Sequence, residues 1–265
     1  MKNFSIVFIA AAIIVSCNEK KETTKKFTDW SADNLKGEVQ KITETPYKVD
    51  SSGKIGEMDS CCIDVIEYDS IGNIAKVTSR DSKGNPGREQ AFTKYDNGLF
   101  KEIVTTVNGK VTNRVSVQID SAGKYTTAQE FDSTGKLSSF YKDITQNDYN
   151  QLTSMKEYKA DSTLKSSFKT EYDKQTFKGQ VDKDSSGKEV SKSSARVDDK
   201  GNQIEFTRTS TMTDAKTKKD STTTKTTKYK YNSFDEQRNW TQRTISDEKD
   251  KPTKIVKREI IYYKK

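Results

Sequence analysis

The chain contains no histidine. That absence removes the commonest general base together with every Ser-His and Cys-His nucleophile pair. Zinc chemistry goes with it, because the adjacent cysteines Cys61 and Cys62 do not make a metal site on their own. Proline occurs three times in 265 residues, and leucine and alanine are scarce, which argues against a helical bundle. No apolar run reaches the roughly 20 residues that a membrane-spanning helix needs. Gly-rich loops with phosphate-binding spacing are missing too, so no cofactor is implied.

Hydrophobic residues make up 31% of the chain and charged ones 32%, close to the compositional edge of disorder. The apolar residues present are mostly Tyr, Phe, Val and Ile, which suit pleated, half-buried sheets and take the chain off that edge. With so few large apolar groups the core is thin, and one elongated β domain follows. The net charge is +8, yet lysines alternate with carboxylates almost everywhere. The nearest thing to a basic patch, Lys216 to Lys230, is diluted by threonines and Asp220, and reads as a solvated strand face kept soluble by lysine. Nucleic acid is not an expected partner.

The N-terminus carries a targeting signal. Lys2 precedes an apolar stretch from Phe4 to Val15, broken only by Ser5, with the length of a signal-peptide core. Ile14-Val15-Ser16-Cys17 resembles a bacterial lipobox. That resemblance implies cleavage after Ser16, lipidation of Cys17 and attachment to a membrane through this anchor. The expected organisation is a lipoprotein signal peptide over 1–16, a flexible tether over 17–29 and a β domain over 30–265. Within the domain the Cys61-Cys62 pair leaves three states open: unpaired structural thiols, a disulfide, or a functional pair.

The β domain is built on a repeated turn. Asp50 to Lys54, Asp69 to Asn73, Asp81 to Asn85, Asp120 to Lys124, Asp132 to Lys136 and Asp184 to Lys188 share the pattern Asp-x-x-Gly-Lys/Asn, and Asp198 to Asn202 is a variant. The Asp carboxylate accepts from backbone amides further along, and the glycine supplies a positive φ, so the pattern describes hairpin loops. Between turns the residues alternate: Val115, Val117 and Ile119 share one face, and Asp64, Ile66 and Tyr68 line one side of their strand. Phe92 and Tyr95 are out of phase, which requires a bulge or an exposed ring. Thr207 to Thr213 and Thr222 to Tyr231 read as arms of a projecting hairpin with its tip at 215–219. Trp30 to Lys36 reads as a short helical or irregular lead-in, capped by Asp29 or Ser31. The expected fold is all-β: an elongated antiparallel meander of repeated β-hairpins in a twisted or partly curled sheet. Closure into a barrel does not follow from these residues.

Tyr68-Asp69-Ser70-Ile71-Gly72-Asn73 and Phe131-Asp132-Ser133-Thr134-Gly135-Lys136 resemble the units of YD-repeat (Rhs-type) proteins. Leu35-Lys36-Gly37-Glu38-Val39 and Arg238-Asn239-Trp240-Thr241-Gln242-Arg243 are similar to segments of small exported lipoproteins of Bacteroidetes-type bacteria that carry such repeats. The resemblance covers most of residues 35–265. Arg238 stands where the repeat places glycine, so that turn is expected to differ, and several units lack the aromatic. The chain ends on a strand at Ile260 to Tyr263, so the toxin-enclosing shell role of large Rhs proteins is not carried over.

No catalytic constellation emerges and no metal site is expected. Most Asp residues are accounted for by turns, and Asp198-Asp199 lacks the ligand spacing of a calcium loop. Tyr125, Tyr141, Tyr158, Tyr172, Tyr229 and Tyr231 are the candidate ligand-binding residues, with core packing as the competing role for the same rings. The expected function is a non-enzymatic, lipid-anchored envelope protein, of the outer membrane and facing the periplasm or the cell surface. It would present an extended β surface to a protein or polysaccharide. The alternatives are a carboxylate-dependent glycan hydrolase and a purely structural envelope lipoprotein.

Overall fold

The computed structural model describes residues 28–50, 53–95, 98–214, 217 and 219–264. The signal segment, Cys17 and the tether up to residue 27 lie outside the described residues, as does most of the hairpin tip at 215–219. Among the described residues one short helix, α1 (Asp29–Ala32), precedes seventeen strands. These are β1 (Val39–Val49), β2 (Ile55–Met58), β3 (Ile63–Tyr68), β4 (Ile74–Arg80), β5 (Pro86–Lys94) and β6 (Phe100–Val107). There follow β7 (Lys110–Ile119), β8 (Tyr125–Asp132), β9 (Leu137–Gln146), β10 (Leu152–Lys159), β11 (Leu164–Asp173) and β12 (Thr176–Asp184). The last five are β13 (Glu189–Val197), β14 (Gln203–Thr213), β15 (Asp220–Phe234), β16 (Trp240–Ser246) and β17 (Pro252–Tyr262).

From β3 onward each strand pairs antiparallel with the next, and β17 returns to pair with β1 along Val39 to Lys48. The other edge of β1 pairs with β3, so the ring closes into a sixteen-stave barrel. This corrects the open or partly curled sheet expected from the sequence. The twist of consecutive antiparallel pairs brings the last strand round to the first, so every stave of the ring is paired on both sides, and the free edges are those of the projecting β14–β15 hairpin. Strand β2 continues the β3 stave along the same edge of β1. The residues between them, 59–62, bulge out of the ladder and hold the Cys61–Cys62 disulfide, with Cα atoms 3.7 Å apart.

The repeated turns form as their residues dictate. In each, the first Asp accepts through Oδ1 from the amide four residues on, as Asp132 does from Lys136 at 3.1 Å and Asp198 from Asn202 at 2.8 Å. Gly135 sits at φ 81°. Arg238 adopts the same conformation at φ 67°, and Asp235 accepts from Asn239 N at 2.8 Å, so this turn matches the others despite the missing glycine. Three further turns of the same hydrogen-bond pattern, opening at Asn147, Lys159 and Asp247, place Asn150, Ser162 and Asp250 at positive φ. These lack the glycine that made the others visible in the sequence. Near Tyr95 the register of β5 shifts at Thr93/Lys94, the bulge that the spacing of Phe92 and Tyr95 requires.

One face of the ring packs inward. Ile103, Val115, Val117, Ala128, Tyr141 and Met155 form a buried cluster with Phe92, Leu152 and Phe168 against it. Burying each of its Ile, Val, Met, Leu or Phe side chains in full contributes roughly 1.5–3 kcal/mol. The opposite face is ionic: Lys76 pairs with Glu89 at 2.9 Å, Arg114 with Glu102 at 3.3 Å and Arg196 with Glu205 at 3.2 Å, all across neighbouring strands. The β14–β15 hairpin rises beyond this core, as its composition suggested. It is held by facing threonine hydroxyls such as Thr209 and Thr224 at 3.0 Å, with Met212 75% exposed.

The lead-in straps one mouth of the barrel. Thr28, not Asp29 or Ser31, is the N-cap of α1, while the Ser31 hydroxyl closes the capping box by accepting from Thr28 N. Trp30 N donates to Gly72 O at 3.0 Å, and Asp29 accepts from Ile74 N at 2.7 Å and from Lys94 at 2.6 Å. Five residues on, Asn34 donates to Lys200 O at 3.1 Å and Lys36 N donates to Asn239 at 2.8 Å. Lys94 lies on β5 and Lys200 in the β13–β14 turn, half the ring apart. Leu35 and Val39 are buried beneath the strap with Ile42 and Tyr68.

Candidate functional site

Two parts of the barrel gather chemistry: an ionic cluster under the strap and a groove on the outer wall. In the first, Glu44 on β1 receives Arg258 through Nε at 3.1 Å and through Nη2, and receives Arg243 at 3.4 Å. Both guanidiniums lie on Trp240, with Cζ at 3.6 Å for Arg258 and 4.4 Å for Arg243. Burial pushes the Glu44 carboxyl up, but the two arginines outweigh it and hold it below the usual carboxylate range. Next to this cluster Asp33 accepts from the Tyr68 hydroxyl, and burial raises its carboxyl to about 6. Arg243 Nε and Arg258 Nη1 find no hydrogen-bond partner among the described residues. The Glu44 contacts join β1 to β17 and β16, and the Asp33 contact ties the strap to β3.

The second part is a groove of about 640 Å³ on the outer wall across β10 to β13. Its lining includes Lys156, Lys169, Lys178, Lys183 and Lys192, with Gly179 in its floor. Register puts Lys169 opposite Val181 and Val181 opposite Lys192, so these lysines flank a small apolar residue on one face. Alongside, Phe140 on β9 and Tyr158 on β10 face each other across the ladder. Their rings are stacked, with centroids 5.3 Å apart and planes 9° apart.

The six tyrosines do not form one row. Tyr141 is in the inner cluster, its hydroxyl donating to Glu130 at 2.9 Å. Tyr125 packs on the same cluster and accepts from Phe100 N at 2.8 Å. Tyr229 and Tyr231 face inward beside the arginines: Arg243 Cζ is 5.3 Å from the Tyr229 ring, and Tyr231 donates to Gln203 O at 2.9 Å. Tyr172 meets Phe177 edge-on at 6.2 Å, and burial pushes its hydroxyl up to about 12. Tyr158, stacked on Phe140, lies beside the outer groove, and none of the six lines it. The groove lysines were not singled out from the sequence, because four strands contribute them and nothing in their local spacing marks them.

No protein-family model matches the chain, and no curated protein matches it. Among solved structures, a porin-like protein from Bacteroides uniformis aligns at TM-score 0.53 with 13% identity, over 84% of this chain and 96% of that one. A porin-like protein from Bacteroides vulgatus aligns at TM-score 0.43 with 11% identity, over 85% and 98%. The Photorhabdus luminescens Tc holotoxin pore aligns at TM-score 0.34 with 14% identity, over 80% of this chain and 11% of that one. The latter two alignments are too loose to carry an argument. The first establishes likeness of fold: this chain shares its barrel architecture with a porin-like Bacteroides protein.

Proposed function

We propose that the chain is a non-enzymatic envelope protein whose barrel stands in water, is tethered through Cys17, and binds a glycan or protein on its outer wall. The carrying observation is the ionic outer face. A barrel that spans lipid shows an apolar outward band about 25 Å tall, and each Lys or Arg at its midplane costs roughly 2–4 kcal/mol. Here the outward rows hold Lys76, Glu89, Glu102, Arg114, Arg196 and Glu205 in ion pairs. The porin-like name of the similar structure is therefore not transferred as a pore. The groove across β10 to β13, beside Phe140 and Tyr158, is one concave surface this wall offers to a ligand.

The test is the behaviour of the mature chain with and without its acyl group. Cys17→Ala is expected to release it from the membrane fraction, and the unacylated chain is expected to stay monomeric without detergent and to leave planar bilayers non-conducting. Channel conductance, or a requirement for detergent, would overturn the water-facing reading. Turnover in a panel of envelope and host glycans, abolished by a single carboxylate substitution in a folded variant, would make it a hydrolase instead.

A further inference from the structure

We propose that the free edge of the β14–β15 hairpin, Asp220 to Thr227, takes an extended acidic segment of another protein as an added antiparallel strand. The inference rests on the water-facing, partner-binding reading above and names the partner's chemistry. β16 leaves its edge of β15 at Lys228, which pairs with Ser246, whereas β14 follows the other edge as far as Asp220. Among the described residues, Asp220 to Thr227 therefore have a ladder on one side only. Such edges are ordinarily guarded by proline, a bulge or a covering loop. Residues 220–227 contain no proline, and the β14–β15 register runs unbroken from Glu205 to Thr213. The free edge of β14 is shorter, from Thr211 to Thr213, and Lys188 closes its end by donating to Thr213 at 3.2 Å and to Asp220 at 2.6 Å.

The hairpin's own hydrogen bonds fix which groups face outward. Asp214 N donates to Lys219 O at 2.9 Å, so these two residues hold a hydrogen-bonded position. Positions then alternate along the ladder. The facing hydroxyls of Thr211 and Thr222, Thr209 and Thr224, and Thr207 and Thr226, each 3.0 Å apart, mark the closer pairs in between. The N–H and C=O of Asp220, Thr222, Thr224 and Thr226 hence point away from β14, and Lys228, next in the series, pairs with β16. Backbone groups repeating every two residues, about 6.8 Å, fit the backbone of another strand.

Side chains set the partner's character. Register puts Lys225 directly opposite Arg208, two cations across one ladder, and Arg208 reaches Ser191 at 3.0 Å and Asp182 at 4.0 Å. A carboxylate on the added strand, facing Lys225 from its other side, offsets these like charges. Four residues further along that strand a side chain lies beyond Ser221, small enough to leave the way open to Met212, 75% exposed on β14. An apolar residue suits that place. The hairpin's other face shows Thr222, Thr224 and Thr226, which favour threonine or valine opposite them. A second copy of this chain does not supply the acid. Residues two apart share an orientation, so an antiparallel copy sets lysine, serine or threonine against Lys225, never Asp220. The hairpin leaves β15 at the end opposite Asn239, where the strap is tied, and so stands clear of the strapped mouth.

The probe is the peptide Thr-Thr-Glu-Thr-Val-Thr-Leu-Thr, its glutamate set to face Lys225 and its leucine Ser221. On the mature, unacylated chain, titration to about 1 mM peptide is expected to slow amide exchange at Thr222, Thr224 and Thr226, leaving Thr223 and Lys225 unchanged. N-methylation of the peptide's fourth residue, whose N–H faces Thr224, is expected to weaken binding roughly tenfold, and of its fifth less than about twofold. Thr224→Pro removes an outward N–H while sparing the β14 ladder, and is expected to lose binding with little change in the melting curve. Lys225→Glu is expected to reverse the preference between this peptide and its lysine counterpart. Undiminished binding by T224P, or equal losses from the two N-methylations, would overturn the added strand. Equal binding of glutamate and lysine peptides by the native chain would overturn the acidic partner. Protection of the same amides that grows with protein concentration, without peptide, would make a second copy the occupant instead. No binding of the peptide would overturn this inference alone, since detergent dependence and conductance test the water-facing barrel separately.

Discussion

At the scale of single residues, the strap mouth depends on two carboxylates in opposite situations. Glu44 balances two guanidiniums, with Arg258 8% exposed and Arg243 23% exposed. Glu44→Gln leaves both charges uncompensated and is expected to cost about 3–5 kcal/mol in thermal or urea melts. Asp33 is held protonated by burial to about 6, above its ordinary 3.8. The folded state therefore binds this proton more tightly than the unfolded chain. Its contribution is complete below about pH 4, declines as pH rises towards 6 and is absent above. Asp33→Asn keeps an acceptor for Tyr68 and should stabilise the protein by more than about 1 kcal/mol at pH 8, with no gain at pH 4. Melts across that range decide it, and a gain independent of pH would refute the burial account. Neither carboxylate was legible in the sequence, because both partners of Glu44 lie some 200 residues away. The tyrosines were legible as residues of weight but not by face. Register shifts beside the turns, such as Glu157/Tyr158 and Gln118/Ile119, change which side a ring takes, so simple alternation fails there.

At the scale of elements, the turns were the most legible part of the fold, since Asp and Gly at fixed spacing satisfy a local geometry without help from the rest of the chain. The sequence misread Arg238 because it counts the missing glycine but not the neighbours that hold the turn: Asn239 donates to Lys36 O and to the Tyr262 hydroxyl at 2.8 and 2.7 Å. Arg238→Gly relieves the left-handed backbone and is expected to stabilise by up to about 1 kcal/mol. Gly135→Val should cost about 1 kcal/mol or more through φ alone, because open space surrounds the position of its Cβ. Gly72 is the sharper case. An added Cβ would lie 2.5 Å from the Trp30 ring, on top of a φ of 92°. Gly72→Ala is expected to cost about 2–4 kcal/mol and to lift the strap. Limited proteolysis would then cut within 28–38 before the strands; unchanged protection there would show that Trp30 does not pin the strap.

For the whole molecule, the all-β class and the thin core were legible from composition and alternation, whereas closure was not. It depends on the summed twist of every pair in the ring and on two strands at opposite ends of the chain. Removing residues 252–265 takes away β17 and bares β1 and β16 together, so the shortened chain is expected to aggregate instead of forming a smaller barrel. A soluble, cooperatively melting truncation would mean that closure is dispensable. The long separation of β1 from β17 raises the contact order, so folding is expected to be slow by stopped-flow measurement.

The strap finally decides how the barrel would carry a load. A pull on the N-terminal segment reaches α1 first, where contacts to Gly72 on one side and to Lys200 and Asn239 farther round share it across the rim. Force passing beyond the strap runs along β1, whose ladders to β3 and β17 lie parallel to the pull. Those hydrogen bonds must then fail together in shear, not one by one in peeling. A barrel suspended by this end is a vessel hung from a handle fixed at both sides of its rim.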